Sequence, residues 1–118
     1  MAENIRTVET NKEARAKMLP LQINRVVVAL CGDYERRQKE IEKRTADEKT
    51  IEQYKFLNNV IDSALAEECE EGIRKKLRED IGNGVGHRRT QLYYMAAGTY
   101  KTRKRNCKYR IAKKLNLV

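Results

Sequence analysis

Apolar residues fall at helical spacing in three stretches of this chain. From Leu21, just after Pro20, the residues Ile23, Val26, Val27 and Leu30 predict a first helix, with Pro20 suited to its first turn because proline has no N–H to satisfy there. The β-branched run Val26 to Val28 works against it. Cys31-Gly32-Asp33 reads as a break, with Asp33 as N-cap of a mostly charged second helix from Tyr34 to about Arg44 whose inner side carries Tyr34, Ile41 and Gln38. Residues Met1 to Lys17 are polar and show no clear stripe, which predicts a frayed start or a weakly amphipathic helix.

Thr45-Ala46-Asp47-Glu48 has the form of a capping box. Beyond it, Ile51, Tyr54, Leu57, Ile61, Leu65, Cys69, Ile73, Leu77 and Ile81 make one continuous seam every three or four residues. That seam predicts either a single helix of about 35 residues, ~50 Å long, or two helices broken near Gly72. Core contact with the first two helices is the expected use of the stripe, and a homodimer seam over 51–81 is the alternative. Gly82-Asn83-Gly84-Val85-Gly86 should end the helix, since three glycines in five positions oppose continuation. A short segment Arg89 to Met95, the tripeptide Ala96-Ala97-Gly98 and a helix from about Thr99 to Leu115 follow, in the order of a helix-turn-helix. The predicted fold is therefore a single all-α domain over residues 1–118. It has a long central helix, a helical body (1–81) and a basic C-terminal helix-turn-helix segment (82–118).

Charge changes this picture more than any motif. The first 81 residues carry sixteen basic and seventeen acidic side chains, whereas the last 37 carry ten basic and none acidic, so the net charge of +9 sits in the C-terminal third. A region of one sign attracts polyanions directly and by release of their counterions, which puts nucleic acid first among partners. On a helical wheel, Tyr100, Cys107, Ile111 and Leu115 gather within about 80° and face the body. Lys104 falls inside that arc and should lay its stem along the core edge. Lys101, Thr102, Arg105, Asn106, Lys108, Tyr109 and Lys113 point outward, with Arg103, Arg110 and Lys114 on a flank. Cationic, Asn and Thr side chains are the chemistry of base reading in the major groove. Base contact is accordingly expected from Lys101, Thr102, Arg105 and Asn106, and phosphate contact from Arg88, Arg89, Arg103, Lys108, Arg110 and Lys113.

The string from Gly98 to Val118, G-T-Y-K-T-R-K-R-N-C-K-Y-R-I-A-K-K-L-N-L-V, resembles the ending of phage and prophage transcriptional regulators of the RinA/ArpU type. Thr99, Tyr100, Arg103, Ile111, Ala112, Leu115 and Leu117 stand at the matching places, and Asp33 to Glu42 is similar to the family's early helix. The likeness spans roughly residues 25 to 118. It implies an all-helical protein with a sigma-factor-like helix-turn-helix that activates late or packaging genes on double-stranded DNA, with RNA polymerase as a further partner. Gly98 in place of a serine, and Ala96-Ala97 without a capping hydroxyl, depart from the pattern at the turn.

Other chemistry finds little in the sequence. The sole histidine, His87, lies in the glycine-rich stretch without a nucleophile beside it, and the cluster Glu67, Glu68, Glu70 and Glu71 reads as a solvated helix face. The glycines lack the P-loop pattern. No enzyme, cofactor, metal or small-molecule substrate is expected. Cys31, Cys69 and Cys107 lack paired metal-ligand spacing and read as reduced, mostly buried thiols. With no apolar run long enough to span a bilayer and no apolar leader segment, a cytoplasmic location is expected. Two further classes use the same cations: a small-terminase-like or RNA-binding protein, with Tyr93, Tyr94 and Tyr109 as stacking platforms, and an adaptor whose basic tail docks an acidic protein.

Overall fold

The computed structural model describes residues 17–84 and 96–118, and within them the chain forms five α-helices and no strand. They are α1 (Leu21–Gly32), α2 (Tyr34–Lys43), α3 (Glu48–Glu68), α4 (Glu71–Asn83) and α5 (Ala97–Lys114). The all-α prediction and the long central helix, the 21 residues of α3, are present. The predicted segments at 1–16 and 89–95, Arg88, Arg89 and His87 lie outside the described residues. Of the expected turn Ala96-Ala97-Gly98, Ala96 precedes α5 and Ala97 and Gly98 are already its first residues, so the helix starts earlier than Thr99.

Valines at 26–28 do not prevent α1, because burial outweighs a weak intrinsic preference: Val27 is fully buried and Cys31 nearly so. Asp33 follows α1 with no hydrogen bond from its side chain to the α2 backbone, so it is not the side-chain cap the sequence suggests. Its carboxylate instead grips the Arg36 guanidinium at 2.7 and 2.6 Å. The capping box is likewise displaced. Asp47, not Thr45, caps α3, accepting from Thr50 N at 2.9 Å, while the Thr45 hydroxyl donates to Glu40.

The seam from Ile51 to Ile81 is the two-helix alternative, broken near Gly72 as expected, at Cys69 and Glu70 in extended conformation, with Gly72 itself inside α4. Ile61, Leu65, Cys69, Ile73, Leu77 and Ile81 are buried against Val27, Cys31 and Tyr34 from the first two helices and Tyr100, Cys107, Ile111 and Ala112 from α5. From Ile61 onward the stripe is therefore taken up by the chain's own core, while Tyr54 and Leu57 are half-buried. Helix α4 ends at Asn83, and Gly84 adopts the left-handed conformation (φ 67°) that a C-cap glycine supplies without strain.

Gly82 acts between helices. A Cβ built on it would stand 2.7 Å from both Cα and N of Gly32, so the backbones of α1 and α4 meet at this pair.

Polar residues also hold the interior. Arg37, 2% exposed, donates from Nε to Asn58 Oδ1 (2.8 Å) and from Nη2 to the Leu30 carbonyl (2.6 Å), linking α1, α2 and α3. Arg78 on α4 stacks 3.9 Å from the centre of the Tyr34 ring and pairs with Glu35. Arg37 shares the inner side of α2 with the predicted Tyr34, Gln38 and Ile41, of which Tyr34 is buried and the other two half-buried.

Candidate nucleic-acid interface

Helix α5 draws its helix propensity from its Ala, Lys and Arg residues, ten of its eighteen, and its C-terminus closes in a Schellman arrangement. Leu117 N donates to the Ala112 carbonyl at 2.8 Å and Asn116 N to the Lys113 carbonyl at 3.1 Å, with Asn116 left-handed at φ 58°. Lys113 and Lys114 in the last turn face the negative end of the helix dipole. The inward face is the predicted one. Tyr100, Cys107 and Ile111 are buried, joined by Ala112, and Leu115 packs at the core edge.

Tyr100 anchors the start of the helix. Its hydroxyl donates to Asp80 Oδ2 of α4 at 3.3 Å, and Lys104 Nζ stands 5.7 Å from the centre of its ring. Burial holds the Asp80 carboxyl above its ordinary value, opposed by Lys76 and the Tyr100 hydrogen bond, and burial lowers Lys104. A carboxyl raised in the folded state contributes stability that is complete below its unfolded value and is lost as pH rises through the folded one. Asp80→Asn keeps an acceptor for Tyr100 and removes the charge. It should be at least as stable as the parent at pH 7, with the difference closing as pH falls toward 4, as read from urea midpoints across that range.

The two sides of α5 differ in electrostatics. One side meets the C-terminal end of α3, where Glu68, only 11% exposed in its side chain, accepts from Asn106 Nδ2 (3.1 Å) and Arg110 Nε (2.8 Å). Glu67 accepts from Arg110 Nη1 (3.1 Å) and Lys114 Nζ (2.8 Å). Arg103 reaches the Glu68 carbonyl at 3.5 Å and lies 4.0 Å from the Glu70 carboxylate. Lys114 and Arg110 hold the Glu67 carboxyl below its usual range, and Glu68 and Glu67 raise Arg110. The acidic cluster is thus not the freely solvated face expected from sequence: Glu67 and Glu68 bind α5.

The opposite side of α5 faces the start of α1. Lys108 Nζ donates to Asn24 Oδ1 at 2.9 Å, and burial lowers its pKa. A groove of about 580 Å3 runs here between Lys17, Lys101, Arg105 and Lys108, with Asn24, Met18 and Leu21 along it and no carboxylate among its described lining residues. A second groove, about 340 Å3, lies between Lys17, Tyr109, Arg110, Lys113 and Glu67. Both open onto the outward side of α5.

Of the residues expected at bases, Lys101 is exposed, Thr102 and Arg105 are half-buried, and Asn106 is committed to Glu68. Of those expected at phosphates, Lys113 is exposed, Lys108 is tied to Asn24, and Arg103 and Arg110 are tied to the end of α3. Wheel geometry alone missed Glu67 and Glu68 as partners of α5. The available signal was the position of Glu68 between the seam residues Leu65 and Cys69, which turns its side chain toward whatever covers that seam.

Nothing here suggests a reactive thiol. All three cysteines are free and buried, and burial pushes the Cys31 thiol up to about 12 and raises Cys69 and Cys107 as well, so thiolate is scarce at neutral pH. Among the described residues no three His, Cys, Asp or Glu side chains converge as a metal site would require, and no helix is long and apolar enough to cross a membrane. Comparison with protein-family models, with curated proteins and with solved structures found no match to this chain.

Proposed function

We propose that this protein is a sequence-specific double-stranded DNA-binding transcriptional regulator, of the phage or prophage kind that its C-terminal segment resembles, and that α5 is its reading helix. The observation that carries the reading is the outward strip of α5, where Lys101, Thr102, Arg105, Tyr109 and Lys113 stand on a helix fixed from below by Tyr100, Cys107 and Ile111. A rigid helix presenting cationic and hydrogen-bonding side chains meets the geometric need of groove reading, because side chains must reach base edges in a set register. RNA polymerase contact belongs to the same proposal through the resemblance.

The test is selection of bound duplexes from a random library at near-physiological salt, followed by titration of the enriched site against scrambled DNA. Arg105→Ala should lose about 1–3 kcal/mol of discrimination at one position of the site. Lys113→Ala should weaken every duplex alike and flatten the log–log salt dependence by about 0.9. Equal losses on all sequences for Arg105→Ala would remove that residue from the base-reading set, and retention without enrichment would remove sequence specificity.

One observation favours a second reading, an adaptor for an acidic protein segment. Met18 and Leu21, 66% and 62% exposed, stand beside Lys101, Arg105 and Lys108, and apolar groups flanked by cations suit an acidic amphipathic peptide better than a phosphodiester chain.

A further inference from the structure

The pairing of Glu67 and Glu68 with α5 has the form of a protein–phosphate contact made internally. Four hydrogen bonds of 2.8 to 3.1 Å run from Asn106, Arg110 and Lys114 to two adjacent carboxylates, and Arg110 uses two of its nitrogens, one on each carboxylate. These are the donor types and distances by which phosphate oxygens are held on DNA. Asn106, expected at bases from the sequence, is turned instead to this flank beside Arg105, and Arg110 and Lys114 lie one and two turns further along the same helix. A helix lying in the major groove has sugar-phosphate backbone along both flanks, so a duplex seated on Lys101 and Arg105 brings phosphates to this flank as well.

We infer that Asn106, Arg110 and Lys114 form a second contact surface for the phosphates of duplex DNA, masked in the free protein by Glu67 and Glu68, which the DNA displaces on binding. The inference rests on the proposed DNA-binding role of α5. Exchange is energetically most accessible at Glu67, because the Arg110, Lys114 and Glu67 side chains are all roughly a third or more exposed and exposed ion pairs contribute little net stability; Glu68, 11% exposed, is the costlier of the two carboxylates to displace. Each new phosphate contact also releases condensed counterions from the DNA, a gain that the internal pairs do not have. The masking favours tight, correctly seated complexes over loose ones, since only a duplex placed by the N-terminal half of α5 brings phosphates near enough to replace both carboxylates.

Glu67→Gln/Glu68→Gln removes the two charges and keeps acceptor oxygens for the same donors. Duplex affinity should rise about five- to tenfold or more, since the pairs made by exposed Glu67 and part-buried Glu68 no longer have to be broken. The gain should vanish when Arg110→Ala and Lys114→Ala are added. Glu42→Gln/Glu52→Gln, an exposed pair on α2 and α3, changes net charge equally and serves as control. Glu67→Gln alone, at an exposed side chain, gives a milder version of the test, and circular dichroism confirms folding of each variant. Wild-type binding with no gain in the variant, a gain no larger than that of the control, or a gain that survives loss of Arg110 and Lys114 would overturn the masked surface alone. Failure of wild type and variant alike to hold any duplex at low salt would overturn the DNA reading and this inference with it.

Discussion

Gly82→Ala should destabilise the fold by about 3 kcal/mol, although alanine is by itself the better helix residue by ~1 kcal/mol. The added methyl would lie 2.7 Å from Cα and N of Gly32, about 1 Å inside carbon–carbon contact, and the atoms it meets are backbone, which cannot rotate away. Helices α1 and α4 would have to separate, loosening Val27 and Cys31 from the cluster that holds Leu77 and Ile81. The reciprocal change is a built-in control. A Cβ on Gly32 meets the Gly82 carbonyl oxygen at 3.3 Å and the Gly82 C and Cα at an ordinary 3.8 Å, so a shift of a few tenths of an ångström accommodates it and Gly32→Ala should fall within about 1 kcal/mol of the parent. In urea, Gly82→Ala should lower the midpoint by roughly 1–2 M at unchanged slope. Equal midpoints for the two variants would show that the helices do not meet through this pair.

Arg37→Ala should cost a further step, about 3–5 kcal/mol, because it removes a buried cation whose acceptors stay behind. Asn58 Oδ1 and the Leu30 carbonyl would lose their donors in a site that water does not reach, and Asp33, 3.5 Å from Nη1, would lose one of its two arginine partners. For a chain of this length that is a large share of the total stability, and the thermal midpoint should fall by roughly 15 °C. Arg37→Lys should recover little of it, since one ammonium cannot span acceptors on two different helices as the planar guanidinium does. Adding Asn58→Leu to Arg37→Met should cost less than the sum of the two single changes, the mark of a coupled pair. A loss under 1 kcal/mol for Arg37→Ala would mean that the guanidinium is not buried on these acceptors. Burial holds the pKa of Arg37 below its ordinary value, yet a guanidinium this basic keeps its charge, so the network should persist across the neutral range.

Both predictions concern contacts that also position α5, since the helix rests on a core that α1, α3 and α4 build together. A variant at Gly82 or Arg37 that loses DNA binding would therefore inform on folding, whereas variants at Lys101, Lys113, Glu67 and Glu68 inform on the interface.

The helical character of this chain, its long apolar seam and the face that α5 turns inward were legible from spacing, because a 3.6-residue period is a local property that burial only reinforces. The concentration of positive charge at the C-terminal end was equally a property of the sequence. Tertiary structure alone decided where that charge is spent. Glu67 lies more than 40 residues from Arg110 in the chain, and their meeting depends on how α3 and α5 cross, which no wheel drawn on one helix contains. The same holds for the partners of Arg37 and Arg78, which come from other helices, and for Gly82, which the sequence offers as a helix terminator and the fold uses as the contact point with α1. Hydrophobic periodicity records which side of each helix is buried; pairing of charges and close approach of backbones are set by distances between helices, and those exist only once the chain has packed.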